Sequence, residues 1–168
     1  MLDLTQLEIR FALNAVRQAS LLARQIQAEL VSPALTKEDR SPVTIADFAC
    51  QALIGSLLAQ EFPNDPLVAE EDSSPLREPT AGDTLALVTR YVAQAIKEME
   101  HTSTDKKEQG MPVTAQMVCE WIDRGRASSA SRFWVLDPID GTKGFLRRDQ
   151  YAIAFALVEQ GRVQVAAL

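Results

Sequence analysis

Apolar residues recur at Ala12, Val16, Ala19, Ala23, Ile26 and Leu30 in alternating steps of four and three, with Arg17, Arg24, Gln25 and Gln27 off that line. The spacing predicts a helix with one apolar stripe, ending near Val31 ahead of Ser32-Pro33. A polar link from Thr36 to Arg40 leads to Ser41-Pro42-Val43. A second helix is predicted from about Thr44 to Gln60, with Phe48, Ala52, Leu53 and Leu57 facing inward, and it stops at Phe62-Pro63. Beyond the Asn64-Asp65-Pro66 turn, Leu67-Val68-Ala69 reads as a short buried strand running straight into Glu70-Glu71-Asp72. A loop from Ser73 to Ala81 precedes a third helix, from about Gly82 to Glu100, with Leu85, Val88, Val92, Ala95 and Met99 on one face. His101 to Gly110 reads as a polar, mobile loop, and a fourth helix covers roughly Val113 to Arg124, closed by Gly125.

The character of the chain then changes. Phe133 to Leu136 is a predicted strand entering Asp137-Pro138-Ile139-Asp140-Gly141-Thr142. Tyr151 to Val158 is nearly continuous apolar sequence, as in a strand covered on both faces. Glu159-Gln160-Gly161-Arg162 reads as a hairpin turn, and Val163, Val165 and Ala167 open a further strand pattern that is still running at Leu168. The expectation is a mixed α/β fold, one domain over residues 1–168, with the chain a truncated piece of it. There is no internal repeat.

Composition narrows the class. With 168 residues, 46% hydrophobic and 24% charged, the chain matches a soluble globular domain able to bury one core. A net charge of -6 argues against nucleic acid as the main partner. It leaves room for small anions, because a carboxylate pocket filled with divalent cations presents positive charge. Cys50 and Cys119 have no metal-type spacing and read as buried free thiols in a reducing, cytoplasmic setting. The acidic, amphipathic N-terminus does not resemble a signal peptide, and no apolar run is long enough to span a membrane.

Three acidic positions stand where a regular element meets a loop: Glu70 after one strand, Asp137 and Asp140 after another. Asp47 is placed in the first turn of the second helix. Hard cations such as Mg²⁺ take carboxylate and carbonyl oxygens, with water and substrate phosphate completing the shell. A carboxylate cluster can hold two such ions, which generate a hydroxide and stabilise attacking and leaving oxygens. Pro138 would let Asp137 and Asp140 converge across a tight turn, with the Ile139 carbonyl a further oxygen ligand. Gly141 permits an unusual backbone, Thr142 offers a hydroxyl, and Gly144 keeps the backbone open to a phosphate.

Plainer readings compete. Two aspartates around a proline before a glycine are good turn chemistry. Thr44 and Asp47 fit a capping box. Glu70-Glu71-Asp72 reads by default as an exposed acidic loop. Lys143, Arg147 and Arg148 form either an exposed basic loop or a group that fixes substrate phosphate. The single histidine, His101, gives little support to a Ser-His-Asp or zinc site. P-loop and dinucleotide signatures are missing.

Taken together, Phe133 to Arg147, Ser41-Pro42-Val43-Thr44-Ile45-Ala46-Asp47 and Val68-Ala69-Glu70-Glu71-Asp72-Ser73 resemble the lithium-sensitive, inositol monophosphatase-like phosphatases. Ala69 stands where the family carries glycine. Lys143-Gly144-Phe145 favours the branch acting on 3′(2′),5′-bisphosphate nucleotides over the inositol phosphatases. The resemblance implies a layered αβαβα sugar-phosphatase fold, of which this is the N-terminal part. It implies Glu70, Asp137, the Ile139 carbonyl and Asp140 as ligands of two or more Mg²⁺ ions. Asp47 and Thr142 would orient and activate the attacking water, and Gly141, Thr142 and Lys143 would face the substrate. A haloacid dehalogenase-like phosphatase fits less well, because Pro138 and Ile139 separate the acids and the motif comes late. An inositol monophosphatase, or an inactive metal-binding fragment, is the remaining alternative.

Overall fold

The structure, a computed structural model, describes residues 4–31, 41–102 and 111–168. The Ser32-Pro33 stop, the Thr36–Arg40 link and most of the His101–Gly110 loop lie outside the described residues. His101 itself is in the last turn of a helix.

Among the described residues four strands form one mixed sheet in sequence order: β1 (Leu67–Ala69), β2 (Arg132–Asp140), β3 (Ala152–Glu159) and β4 (Arg162–Ala167). β1 runs parallel to β2, and the other neighbours are antiparallel. Among the described residues five helices accompany it: α1 (Leu7–Leu30), α2 (Ser41–Glu61), α3 (Gly82–Thr102), α4 (Ala115–Asp123) and the short α5 (Thr142–Arg147). Two 3-10 turns, Ser74–Arg77 and Pro79–Ala81, fill the loop before α3. The fold is mixed α/β, as expected. Among the described residues, no helix is long and apolar enough to cross a membrane.

α2 is the central helix. Ile45, Ala46, Phe48, Ala49, Cys50, Ala52, Leu53, Ile54 and Leu58 are buried around its whole circumference, because α1, α3, α4 and β2 all pack on it. The inward face predicted from Phe48, Ala52 and Leu53 is therefore only part of the buried surface, and Leu57 is half-buried. α2 also starts earlier than predicted, at Ser41. Pro42 is no obstacle, since proline is tolerated in a first helical turn. Thr44 thus lies inside the helix rather than capping it, and Asp47 belongs to the second turn. The capping-box reading fails for that reason.

α1 and α2 cover one face of the sheet. Trp134 of β2 stacks on Phe155 of β3 at 4.8 Å, and Phe11 of α1 meets both rings edge-on at 5.2 and 5.9 Å. Such pairs add to the apolar burial that drives packing. β3 corrects another expectation. Ile153, Phe155 and Leu157 are buried, but Ala152, Ala154 and Ala156 between them are only half-buried. The strand is covered on one face, and its small alanines hid the alternation.

Candidate metal-binding site

The parallel register Leu67↔Trp134 to Ala69↔Leu136 brings β1 and β2 to the same end of the sheet. The residues that follow these pairs are Glu70 and Asp137, so the two strands deliver two carboxylates side by side. β2 then continues through the motif instead of stopping before it. Asp137 pairs with Ala154 and Asp140 with Ala152, so β2 carries one extra residue across this step. In a regular strand, residues three apart point to opposite faces; the bulge restores the phase of Asp140 to that of Asp137. Pro138 sits within this irregular step, beyond the last residue paired with β1, where a missing N–H does no harm.

Electrostatics ties α2 to this end. Asp47 is 9% exposed, and its carboxyl is pushed up to about 8 by burial and then by the charges of Glu71, Glu70 and Asp137. Burial also raises Asp137, together with Glu70 and Asp140, against the opposing effect of an Ile139 N–H donated to its carboxylate. Glu71 is raised by burial and by Glu70, Asp72 and Asp137. Asp137 Oδ1 is buried with no hydrogen-bond partner, a costly state for a carboxylate oxygen.

Among the described residues, no three His, Cys, Asp or Glu side chains are arranged to hold a metal ion as they stand. The donor chemistry nonetheless fits a hard divalent cation. Every candidate ligand is an oxygen, one carboxylate oxygen is orphaned, and a cation would relieve the mutual repulsion. Glu70 and Asp140 are exposed, and exposed side chains change rotamer quickly. The Ile139 side chain is buried in the core, leaving its backbone at the turn.

Gly141 adopts φ +92°, the left-handed region, and accepts the first α5 bond from Phe145 N–H at 3.1 Å. Thr142 and Lys143 follow on the exposed start of α5. Two basic-loop expectations change. Lys143 to Arg147 is helical, a segment too short to show a period. Arg148 is committed elsewhere, its guanidinium donating to the carbonyls of Val31 and Ala28 at the end of α1. Gln27 Nε2 seals the same junction by donating to the Phe145 carbonyl at 2.9 Å. Both thiols, Cys50 and Cys119, are buried and free.

Three contributors escaped the sequence reading. Glu71 heads the charges that raise Asp47; its default as loop acid concealed it. Asp123 of α4 accepts from Ser73 N–H at 2.9 Å and from Ser73 Oγ at 2.8 Å, and Arg77 pairs with it at 2.9 Å. Gln51 of α2 bonds the Glu71 backbone. Neither Gln51 nor Asp123 carries a motif, so nothing in the sequence signalled them.

Fold and site together describe a mixed α/β chain with a group of acidic residues at one end of its sheet. The chain belongs to the inositol monophosphatase family, whose pattern matches residues 5–168. It is 45% identical over 168 residues to a 3′(2′),5′-bisphosphate nucleotidase of Schizosaccharomyces pombe, covering 96% of this chain and 46% of that protein. It is 45% identical to 3′(2′),5′-bisphosphate nucleotidase 2 of Candida albicans, covering 94% and 44%. With 3′(2′),5′-bisphosphate nucleotidase 1 of Arabidopsis thaliana the identity is 39%, covering 96% and 45%. The chain spans about half the length of the curated relatives it matches.

Proposed function

We propose that this chain supplies the metal-binding half of a Mg²⁺-dependent phosphomonoesterase. Its substrate is 3′-phosphoadenosine 5′-phosphate, hydrolysed to AMP and phosphate, with 3′-phosphoadenosine 5′-phosphosulfate as a second substrate. The observation that carries this reading is the buried Asp47, whose carboxyl is raised by burial and by the charges of Glu71, Glu70 and Asp137, together with an orphaned Asp137 oxygen. The names of the relatives support the nucleotide substrate.

In this reading Glu70, Asp137, Asp140 and the Ile139 carbonyl hold the ions. Bound Mg²⁺ supplies positive charge to the phosphate oxygens and acidifies a water. Asp47 accepts a proton from the attacking water, and the Thr142 hydroxyl orients that water. Gly141, Thr142 and Lys143 line the side from which phosphate approaches. Lithium inhibits. The buried thiols support a reducing, cytoplasmic setting.

A second reading is metal binding without turnover, supported by a chain that spans about half the length of the relatives it matches. Phosphate release from 3′-phosphoadenosine 5′-phosphate, with Mg²⁺ and then with lithium, decides between them. Release that needs Mg²⁺, stops with lithium and disappears in Asp140→Ala is the expected result. Mg²⁺ binding by calorimetry with no release would leave the second reading.

A further inference from the structure

We infer that Gln51 is the positioning residue of the carboxylate site, holding the Glu70-Glu71 backbone in register with Asp47. This rests on the metal-site reading above.

Gln51 is completely buried, a rare state for a polar side chain. Its amide is almost fully used, and every partner is backbone. Oε1 accepts from the Glu71 N–H at 3.0 Å. Nε2 donates to the Glu71 carbonyl at 2.5 Å and to the Ile122 carbonyl at 2.8 Å. Both amide hydrogens and one acceptor site are thereby satisfied. Gripping the N–H and C=O of one residue is what a neighbouring strand does. Here a helical side chain does it just past the end of β1, where strand pairing has run out.

Placement gives the contact its consequence. Gln51 lies four residues after Asp47, one turn along the same face of α2. The Glu71 N–H belongs to the peptide joining Glu70 to Glu71, so Gln51 sets the backbone from which both acids project. The Ile122 bond adds the end of α4 to the same clamp, and Asp123 next to it holds Ser73. The space is built around the amide: a β-carbon on Gly125 would stand 2.5 Å from Gln51 Nε2. The exposed Glu70 carboxylate can turn, but its backbone is held.

Groups that orient ligands from behind typically change metal affinity by about 10–100-fold when removed. The test is Mg²⁺ titration calorimetry on the full chain as wild type, Gln51→Met, Gln51→Asn and Leu58→Ala. Leu58 is equally buried on α2 but more than a turn further on, so it reports general destabilisation. Hydrogen exchange at the Glu71 amide is read in parallel. The expected result is an Mg²⁺ affinity weakened about tenfold or more in Gln51→Met, with a faster-exchanging Glu71 amide and an unchanged affinity in Leu58→Ala. Gln51→Asn keeps an amide too short to reach both partners, and it carries the same expectation should Gln51→Met not fold. Unchanged affinity in a folded Gln51 variant overturns the inference, as does equal weakening in Leu58→Ala. A wild type that binds no Mg²⁺ overturns the metal-site reading itself, and the inference with it.

Discussion

Gly144 and Gln150 lie so close that a β-carbon on Gly144 would stand 1.8 Å from the Gln150 carbonyl oxygen and 2.9 Å from its carbon. The Asp149 N–H donates to the Gly144 carbonyl at 2.8 Å, closing the turn that makes this approach. The motif suggests a Gly144 kept open for a phosphate, but its neighbour is the chain itself. Backbone cannot step aside as a side-chain tip can. Gly144→Ala should therefore cost at least the upper part of the ~1–3 kcal/mol typical of overpacking, measured by urea denaturation. A β-carbon on Gly82 would meet nothing within 4 Å, and its φ is not positive. Gly82→Ala should be neutral or stabilise by about 0.4–1 kcal/mol.

Without a bound cation, stability should fall as pH rises. The folded carboxyl of Asp47 titrates at about 8 against an ordinary 3.8. Between those values the folded chain holds a proton that the unfolded chain has released. This contribution is whole below the unfolded value and declines by at most about 1.4 kcal/mol per pH unit across the window. It levels off above the folded value. Glu71 and Asp137 are raised too and act in the same direction. Thermal melts in chelator from about pH 5 to 9 should show a falling midpoint. Asp47→Asn should flatten much of that fall and melt higher at the alkaline end, and added Mg²⁺ should oppose the fall. A flat wild-type profile would sink the idea.

What could be read from the sequence follows from how local each signal is. The strand before Glu70 and the strand before Asp137 were legible, because an apolar run meeting an acid is a pattern of a few adjacent residues. That β1 and β2 are parallel neighbours, so that the two acids meet, is a long-range fact no local pattern carries. Thr44 and Asp47 misled because a capping box is local, whereas the start of α2 lies further back at Ser41. α5 is six residues long, less than two turns, and offers no period to detect. Gln51 was invisible for a deeper reason. Its partners are the backbone atoms of Glu71 and Ile122, and a backbone partner leaves no trace in residue type.

The far end of β2 is held by different means. Asp65 accepts from the Trp134 indole N–H at 3.0 Å and from Arg132 Nε at 2.8 Å, and Arg132 also pairs with Glu159. The Asp65 side chain is 16% exposed, and its loss leaves the indole N–H of the buried Trp134 short of its acceptor, while Arg132 keeps Glu159 and Glu8. Asp65→Ala should cost about 1–3 kcal/mol, read from chemical denaturation. Because Arg132 and Asp140 are opposite ends of one strand, Mg²⁺ affinity measured on folded protein should not change. A loss of affinity there would mean that the two ends of the sheet are coupled.

Arg148 separates two effects that a single substitution confounds. Its φ of 56° lies in the left-handed region, where a β-carbon costs about 1–2 kcal/mol and glycine costs little. Its guanidinium meanwhile supplies donors to the Val31 and Ala28 carbonyls at the end of α1. Arg148→Ala keeps the strain and loses the donors. Arg148→Gly loses the donors but removes the strain. Urea denaturation should therefore place Arg148→Ala below Arg148→Gly by about 1 kcal/mol. How Arg148→Gly compares with wild type then measures the junction: a less stable glycine variant means that the cap on α1 outweighs the strain. If alanine and glycine are equal, the left-handed turn is not strained as the backbone implies.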